Sequence, residues 1–463
     1  MCPQREEFNN TIQGSLDCLK VNIYVPKLAN SNNKLPILVY IYGGNYRLGF
    51  AGRYVYGQKH FMRHDIIVVN FNYRLGPYGF FCLNIPEAPG NQAFKDQKNA
   101  LRWIYDNIEE FGGDKNKITL DGHSFGAGSV DLLLHSMDEN EKWIDKAIIQ
   151  SSNYFNAFPL LNMTENNGVL QVADFLGFNT NDVSDALKFL ANVNSSLVIK
   201  ASLDLNIDYG FCIEKTFHNI DKFLPDYRWN LKVPAAKGVS FMVGNTGSEA
   251  LFITGLKLPE FCKDLDPITL MFKHFNMTNN EMKEASKIIH DFYQVNETFC
   301  MRMKDKFIQF ESDFYYLHAS RQNMLKYIEN GAKEVYYYIF RYSGERNFMK
   351  PRVRLTSEEG ATHGDEIGYL YDVSYMKEPS RDDKLIIDRM TAMWANFVKY
   401  GNPTPVTTKL LPVKWKPYTN DNQNYLEIDK TVTLKSTPES KAMAFWDLFN
   451  KAYGSKAKSY LWD

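Results

Sequence analysis

The sequence predicts an α/β fold, a doubly wound and mostly parallel sheet with helices on both faces. Three observations lead to this fold class. Short β-branched and aromatic runs alternate with helical patterns through residues 1–155. Pro, Gly or Asn bounds each run, as is typical of strands. The chain has 463 residues, 44% of them apolar, which favours one large α/β domain.

The predicted elements follow one another in strict alternation after the first strands. They are strands at 20–25, 37–42 and 66–71, a helix at 91–111, a strand at 118–121, a helix at 125–135 and a strand at 146–150. The first helix is amphipathic and ends at Gly112-Gly113. In sheets of this kind the ligand site lies at the carboxyl ends of the strands.

The rest of the chain is expected to belong to the same domain, which we place at residues 1–463. Regions at about 156–232 and 256–330 change to irregular segments, the first with short helices and Asn- and Asp-rich joints. The strand-like runs at 239–243 and 335–340 still need the first sheet as a partner. We therefore expect two cap-like helical insertions over the active edge of one sheet.

Charge and hydropathy exclude some classes of partner. Lys and Arg total 53 against 54 acidic residues, and no basic block occurs, which argues against nucleic acid or an anionic membrane surface. No apolar run approaches the 18 residues or so of a membrane span. The N-terminus has neither the basic nor the apolar region of a signal peptide, and the sequence indicates no oligomeric state.

Cysteine and histidine spacing gives no firm metal site, and no cofactor is indicated. The six cysteines form no C-x-x-C pair, so zinc is not expected, and residue spacing alone leaves their pairing open. His60 and His64 lie four residues apart, which fits either a metal pair or two solvent-facing side chains. Sequons that permit secretion without establishing it occur at Asn9, Asn162, Asn194, Asn276 and Asn296.

The most informative motif is Gly122-His-Ser124-Phe-Gly126, which closes a predicted strand and opens a predicted helix. Its glycines leave room for a strained strand-to-helix turn that holds the serine hydroxyl at the sheet edge. A buried glycine-rich turn is the alternative interpretation. Ser124 is the candidate nucleophile.

A serine nucleophile needs a base, an orienting acid and oxyanion donors. His363, in a small-residue loop, is the candidate base, and Glu249, just past a strand, is the candidate acid, although a lone loop Glu also fits a solvated side chain. Tyr42-Gly-Gly44-Asn45 follows an early strand and is a candidate oxyanion loop or a plain turn. The chain order Ser, acid, His is typical of α/β-hydrolases.

With these residues assembled, the chain resembles the type-B carboxylesterase family of α/β-hydrolases, nearly from end to end. The matching segments are 17–25, 42–44, 72–77, 88–92, 95–97, 101–103, 107–108, 111–114, 122–126, 363–366 and 394–403. The resemblance implies serine esterase activity, with Ser124 as nucleophile, His363 as general base and acid, and Glu249 as the group that orients the imidazole. It also implies an oxyanion hole formed by the backbone N–H groups of Gly44, Asn45 and Phe125.

The resemblance further implies a disulfide between Cys2 and Cys18, which would contribute on the order of 3 kcal/mol and place the protein in an oxidising, extracellular compartment. In the family, sixty or more residues precede this cysteine, including a signal peptide, so an N-terminal truncation is expected. A sheet edge exposed by that loss is expected to favour aggregation.

Three residues depart from the family pattern: His123 and Phe125 beside the serine, and Asn45 in the oxyanion loop. We expect Phe125 to narrow the acyl or alcohol pocket. The segment 3–17 lacks the tryptophan with which cholinesterases bind quaternary ammonium, so we expect a small, neutral, apolar ester as substrate. The alternative is a catalytically impaired family member that acts by adhesion, binding or ligand sequestration.

Overall fold

The computed structural model describes residues 1–138, 140–153, 168–224, 232–253, 267–272, 275–295 and 303–456. The described strands are β1 (Gln4–Arg5), β2 (Ile12–Gln13), β3 (Val21–Tyr24), β4 (Leu35–Ile41), β5 (Ile67–Phe71), β6 (Gly113–His123), β7 (Lys146–Gln150), β8 (Ser240–Thr246), β9 (Glu334–Phe340), β10 (Asn424–Ile428) and β11 (Val432–Ser436).

The helices vary from single turns to a helix of 20 residues. They are α1 (Lys59–Met62), α2 (Gly76–Phe80), α3 (Gln92–Asn107), α4 (Phe125–Ser136), α5 (Gly168–Phe175), α6 (Val183–Asn192), α7 (Ser195–Asp204), α8 (Pro267–Met271), α9 (Asn279–Tyr293), α10 (Lys304–Ser312), α11 (Ala319–Glu329), α12 (Met349–Arg352), α13 (Ile367–Leu370), α14 (Arg381–Tyr400) and α15 (Ser440–Tyr453). A π-helical segment, Asp313–His318, joins α10 to α11. Within the described ranges, no helix has the length and apolar character that a membrane span requires.

Contacts along the chain divide it into two compact units. The first comprises Met1–Gly52, Asp65–Ile148 and Phe158–Ala235, and the second comprises Arg53–His64, Ile149–Ala157 and Ala236–Asp463, each to the extent that it is described. A single domain over 1–463 with two insertions stays a prediction. In the described parts of those insertions the chain forms α5–α7 and α8–α11, with the π-helical segment between α10 and α11.

In the first unit, β4 pairs in parallel with both β5 and β6, and β3 lies antiparallel to β5. Every residue of β5 is buried, which is the pattern of a parallel strand covered on both faces. The register sets Ile41 beside Gly122, so β4 and β6 end at the same edge. The segments that follow these two strands therefore start side by side.

In the second unit, β8, β9 and β10 are parallel, and β11 returns antiparallel to β10. β8 is buried along its length, and its last residue, Thr246, pairs with Phe340. The loop after β8 consequently leaves from the carboxyl end of a parallel strand. The predicted fold class, a mostly parallel α/β sheet, is confirmed. Each predicted strand overlaps an observed one, but β6 begins five residues before its predicted start at 118, and β1, β2, β10 and β11 have no predicted counterpart.

Asn91 connects the start of α3 to a disulfide-linked segment. Its backbone is left-handed, with φ 59°, and its side chain is buried. The amide Nδ2 donates to the Cys212 carbonyl at 2.7 Å and to Glu214 at 3.0 Å, while Oδ1 accepts from the Cys212 N–H at 3.0 Å. Cys212 is bonded to Cys82, so this side chain fixes the segment after α7 against the segment before α3.

Replacing Asn91 by Ala is expected to lower the free energy of unfolding by about 2–4 kcal/mol, because buried donors and acceptors lose their partners and alanine disfavours a left-handed backbone. Urea unfolding measures the change. Asn10→Ala is the matched control, since Asn10 is also left-handed, with φ 57°, but exposed. Equal losses in the two variants would contradict a structural role for the Asn91 side chain.

Candidate active site

Ser124 lies at the turn between β6 and α4, where the chain leaves the buried strand. Its backbone has φ 56° and ψ −134°, a conformation that L-residues rarely adopt and that costs on the order of 1–3 kcal/mol. The Ser124 carbonyl accepts from the N–H groups of Ala127 at 2.8 Å and Gly128 at 3.1 Å, which starts the helix. The partly exposed side chain is thus held at the amino end of α4.

The glycines on either side of Ser124 allow close backbone approach. A Cβ atom on Gly122 would overlap the carbonyl of Gly126, and a Cβ on Gly126 would overlap the carbonyl of Ile41. Since Ile41 is the last residue of β4, the turn packs directly on the neighbouring strand. This is a physical reason for the G-x-S-x-G pattern.

The candidate oxyanion loop, residues 43–49, starts beside Ser124. A Cβ atom on Gly43 would lie 2.7 Å from the Ser124 Cβ and 3.4 Å from its Oγ. The N–H groups of Arg47 and Leu48 donate to the Gly44 carbonyl at 3.0 and 3.1 Å, so the loop closes on itself. Asn45 has a left-handed backbone, with φ 54°, which asparagine tolerates.

An aromatic cluster adjoins the turn. The half-buried Phe125 ring meets the Tyr46 ring edge-on, with centroids 4.6 Å apart. Tyr46 also contacts Phe80 at 4.6 Å and Phe94 at 5.4 Å. Burial raises the pKa of the Tyr46 hydroxyl, which therefore stays neutral. The Phe125 ring therefore packs against a cluster of aromatic side chains that Tyr46 connects.

Glu249 follows β8 and is fully buried. Its Oε1 accepts from the Thr246 N–H at 2.8 Å and from Asn245 Nδ2 at 3.1 Å. Its Oε2 lies 2.8 Å from Nδ1 of His363. Donors to both oxygens satisfy a buried carboxylate, which otherwise would be costly to desolvate.

Backbone hydrogen bonds hold the Glu249 and His363 loops together. The Ser248 N–H donates to the Ala361 carbonyl at 2.9 Å, and the His363 N–H donates to the Glu249 carbonyl at 3.3 Å. The Thr362 hydroxyl adds a bond of 3.2 Å to that same carbonyl. The carboxylate–imidazole pair is therefore fixed by its backbone as well as by its side chains.

Two aromatic rings pack on the His363 imidazole, which is 5% exposed. Phe252 stacks on it at 5.0 Å between ring centroids, and Tyr316 lies tilted at 5.4 Å. Tyr316 comes from the π-helical segment, a rare feature that often occurs at functional sites. Sequence reasoning missed both residues, because nothing in their local pattern distinguishes them from core aromatics.

A second carboxyl group, Glu366, is buried in the same unit. Burial, and then the charge of Glu249, raise the pKa of Glu366 well above its usual range. The Ser151 hydroxyl is its donor at 3.4 Å. Burial therefore favours the neutral, protonated form of the Glu366 carboxyl.

Asp365 stabilises the His363 loop through hydrogen bonds to its carboxylate. Its carboxylate accepts from the N–H groups of Thr362 at 2.8 Å and Met349 at 2.9 Å, and from Asn347 Nδ2 at 2.8 Å. The small-residue loop of the sequence is thereby a rigid one. Asp365 and Glu366 were part of the motif at 363–366, but the sequence alone assigned them no role.

The candidate residues fall into two groups. Gly44, Asn45, Ser124 and Phe125 lie in the first unit, and Glu249 and His363 lie in the second. The oxyanion loop and the serine turn are adjacent within the first unit, and the acid and base are bonded within the second. Their assembly into one catalytic triad stays a prediction.

Two disulfides link described cysteines. Cys2 joins Cys18 with Cα atoms 4.9 Å apart, and Cys82 joins Cys212 with Cα atoms 6.5 Å apart. The second pairing was left open by the sequence. Cys262 and Cys300 lie outside the described residues.

Three of the candidate glycosylation sites, Asn9, Asn194 and Asn276, are exposed. Asn162 and Asn296 lie outside the described residues. Exposure of the asparagine is a requirement for modification. The three exposed sites remain candidates.

No group of three or more metal-binding side chains occurs in the described part of the chain. His60 and His64 are both partly buried: His64 Nε2 lies 3.2 Å from the Thr391 hydroxyl, and burial lowers the pKa of His60 to about 4. Contacts from the distant α14, invisible in the local sequence, account for the burial of His64.

Comparisons with known proteins place the chain in a family. The model of the carboxylesterase family matches residues 1–446. The juvenile hormone esterase of Tribolium castaneum is 30% identical over 436 residues, which cover 87% of this chain and 74% of the relative. Human bile salt-activated lipase is 27% identical over 477 residues, covering 96% and 61%.

A solved structure gives the same fold. The juvenile hormone esterase of Manduca sexta, with OTFP covalently attached, superposes with a TM-score of 0.81 at 24% identity, covering 94% of this chain and 84% of that one. This likeness supports the α/β-hydrolase fold predicted for the chain. On the family match across residues 1–446, the chain belongs to the carboxylesterase family and is a carboxylic ester hydrolase.

Proposed function

We propose that the chain hydrolyses esters in two steps through an acyl-enzyme on Ser124. The observation that carries this proposal is the buried Glu249–His363 pair at 2.8 Å. The strained turn at Ser124, which is typical of serine nucleophiles, supports it. In the first step Ser124 Oγ attacks the ester carbonyl carbon and gives its proton to His363. The alkoxide leaves with that proton as an alcohol.

Water completes the cycle. His363 removes a proton from the water as its oxygen bonds to the acyl carbon, and the tetrahedral intermediate expels Ser124 Oγ, which regains the proton. The carboxylic acid is released and the enzyme is restored. His363 therefore acts as base and then acid in each step.

Glu249 orients the imidazole and stabilises its protonated form. A charged acceptor on Nδ1 leaves Nε2 as the atom that exchanges protons with Ser124 and water. The raised pKa of Glu366 is consistent with this role, since burial and the charge of Glu249 disfavour a second negative charge beside the pair. The Phe252 and Tyr316 rings, the first stacked on the imidazole and the second tilted against it, cover the pair with apolar surface.

In the proposed oxyanion hole, the N–H groups of Gly44, Asn45 and Phe125 stabilise the negative oxygen of each tetrahedral intermediate. Gly43 packs on Ser124, which supports a loop placed for this task. Since only backbone donors take part, the unusual Asn45 and Phe125 side chains leave that stabilisation intact. Their effect is on the shape of the pocket.

The substrate class that fits is a small, neutral, apolar ester. The chain has a formal net charge of −1, and the Phe125 and Tyr46 rings beside Ser124 form an apolar surface. The names of the relatives, a hormone esterase and a lipase, favour an apolar ester as well. Two disulfides and three exposed sequons support an oxidising, extracellular compartment.

Replacing Ser124 by Ala is expected to abolish both hydrolysis of a p-nitrophenyl ester and covalent labelling by a fluorophosphonate, because the nucleophilic oxygen is lost. Ser136→Ala, a change in the last residue of α4, is the matched control and should keep both. Labelling of the Ser124→Ala protein at another residue would refute the assignment. An unlabelled wild-type protein would favour the impaired, ligand-binding alternative, and a stoichiometric burst without turnover would indicate sequestration.

Replacing Phe125 by Ala should shift preference toward esters with longer or bulkier acyl or alcohol groups, since a half-buried ring at the serine limits the pocket. For esters whose acyl or alcohol group the Phe125 ring now excludes, we expect kcat/KM of the variant, relative to a short ester, to rise about tenfold per added methylene. Phe111→Ala, at an exposed site, is the control. An unchanged preference over a panel of acyl lengths would contradict the pocket role.

Replacing Glu366 by Gln should keep kcat/KM within about threefold, because glutamine has the shape of the protonated carboxyl that burial favours. The change should also remove a pH-dependent loss of stability. The native pKa is raised, so stability is fully present below the unfolded pKa of about 4.3 and falls as pH rises and the unfolded group ionises, by up to about 1.4 kcal/mol per pH unit.

Urea unfolding of the two proteins from pH 5 to 8 measures this difference. The stability of Glu366→Gln relative to the wild type should increase as pH rises above the unfolded pKa of about 4.3.

Replacing Glu249 by Gln should, unlike Glu366→Gln, lower kcat by about 10⁴-fold, because the imidazole loses its carboxylate partner; ester hydrolysis by the two variants measures the difference. Equal loss of activity in both variants would contradict a specific role for the Glu249 carboxylate as the partner of His363.

A further inference from the structure

Gln4 is a polar side chain buried inside the loop that the Cys2–Cys18 disulfide closes, with 1% of its surface exposed. It lies on β1, which pairs with β2 in a short hairpin, opposite Gln13. The hairpin is part of the first unit, as is the candidate oxyanion loop. A buried amide must find partners for both its donor and its acceptor.

Those partners are both groups of one residue. Gln4 Nε2 donates to the Gly49 carbonyl at 2.8 Å, and Gln4 Oε1 accepts from the Gly49 N–H at 2.7 Å. Nε2 also lies 3.1 Å from the Cys2 carbonyl. The side chain therefore clamps the Gly49 backbone as a neighbouring strand would, and it ties that clamp to the disulfide.

Gly49 closes the oxyanion loop that begins at Gly43. A Cβ atom on Gly49 would lie 2.5 Å from the Tyr42 ring and 2.8 Å from the Gly43 carbonyl, so the two ends of the loop are in contact. Between them, the Leu48 N–H donates to the Gly44 carbonyl at 3.1 Å. A continuous set of contacts thus runs from Gln4 to Gly44.

We propose that Gln4 is a positioning residue for ester hydrolysis, which holds the oxyanion loop in its active geometry and couples it to the N-terminal disulfide. The inference rests on the proposed role of Gly44 and Asn45 as oxyanion donors. Gln4 itself touches no reacting atom, and it acts through Gly49.

Its effect is specific to the transition state. Oxyanion donors stabilise the tetrahedral intermediate much more than the ground-state ester, and small misplacements of such groups lower the rate. Loss of the clamp should consequently lower kcat with little change in KM. A purely structural contribution would lower the melting temperature and leave kcat per folded molecule unchanged.

The test compares Gln4→Met with Gln13→Met. Both change a glutamine of the same hairpin to an apolar residue of similar length, but Gln13 is exposed. With active sites titrated by a fluorophosphonate, Gln4→Met should lose about tenfold in kcat at nearly unchanged KM, and inhibition by a trifluoromethyl ketone, a tetrahedral analogue, should weaken by a similar factor. Gln13→Met should match the wild type in both.

A second variant covers the case in which Gln4→Met does not fold. Gln4→Glu can make both bonds to Gly49 only while its carboxyl is protonated. Its kcat relative to the wild type should be low at pH 8 and recover as pH falls toward the range in which the carboxyl gains a proton. A structural role predicts no such recovery.

The outcomes separate this inference from the proposed function. If the wild type is labelled at Ser124 but Gln4→Met, or Gln4→Glu at pH 8, keeps full kcat, the positioning role is wrong and the proposed mechanism stands. If the wild type is not labelled at Ser124, the proposed mechanism itself fails. A rise in KM with unchanged kcat in Gln4→Met would also overturn the positioning role.

Discussion

The hydrogen bond between the Glu249 carboxylate and His363 Nδ1 is the interaction on which the proposed chemistry depends. A carboxylate with no exposed surface is stable only when its oxygens are satisfied, and here the Thr246 N–H, the Asn245 amide and the imidazole supply the donors. The pair therefore requires two loops to be held together at the end of β8. The backbone hydrogen bonds between the Glu249 and His363 loops, and the hydrogen bonds that Asp365 accepts, hold these loops in place.

In the first unit, the backbone rather than side-chain hydrogen bonds sets the position of the candidate residues. Parallel pairing of β4 and β6 starts the oxyanion loop and the Ser124 turn from one edge, and glycines permit their close approach. Strain at Ser124 is tolerated because the strand before it and the helix after it fix the turn from both ends. Parallel strands thus position the candidate nucleophile in one unit and the candidate acid and base in the other.

The sequence predicted most strands of the sheet and the serine turn, and it supplied Glu249 and His363 as candidates for the acid and base. These depend on local patterns: β-branched runs, glycine stops and small-residue loops. The rest depends on contacts between residues far apart in the chain. Glu249 appeared as a loop carboxylate equally suited to solvent, and only its neighbours Thr246 and His363 explain its burial. The raised pKa of Glu366 likewise follows from burial and a charge 117 positions away in the sequence.

The central claim is that Ser124 is the nucleophile of a site completed by His363 and by backbone donors of the oxyanion loop. A crystal structure of the fluorophosphonate-treated protein tests it most directly. We predict phosphorus bonded to Ser124 Oγ, its oxygen within hydrogen-bonding distance of the Gly44, Asn45 and Phe125 N–H groups, and His363 beside the adduct with its bond to Glu249 intact. Phosphorus on any other residue, or an imidazole turned away from Glu249 and Ser124, would contradict the account.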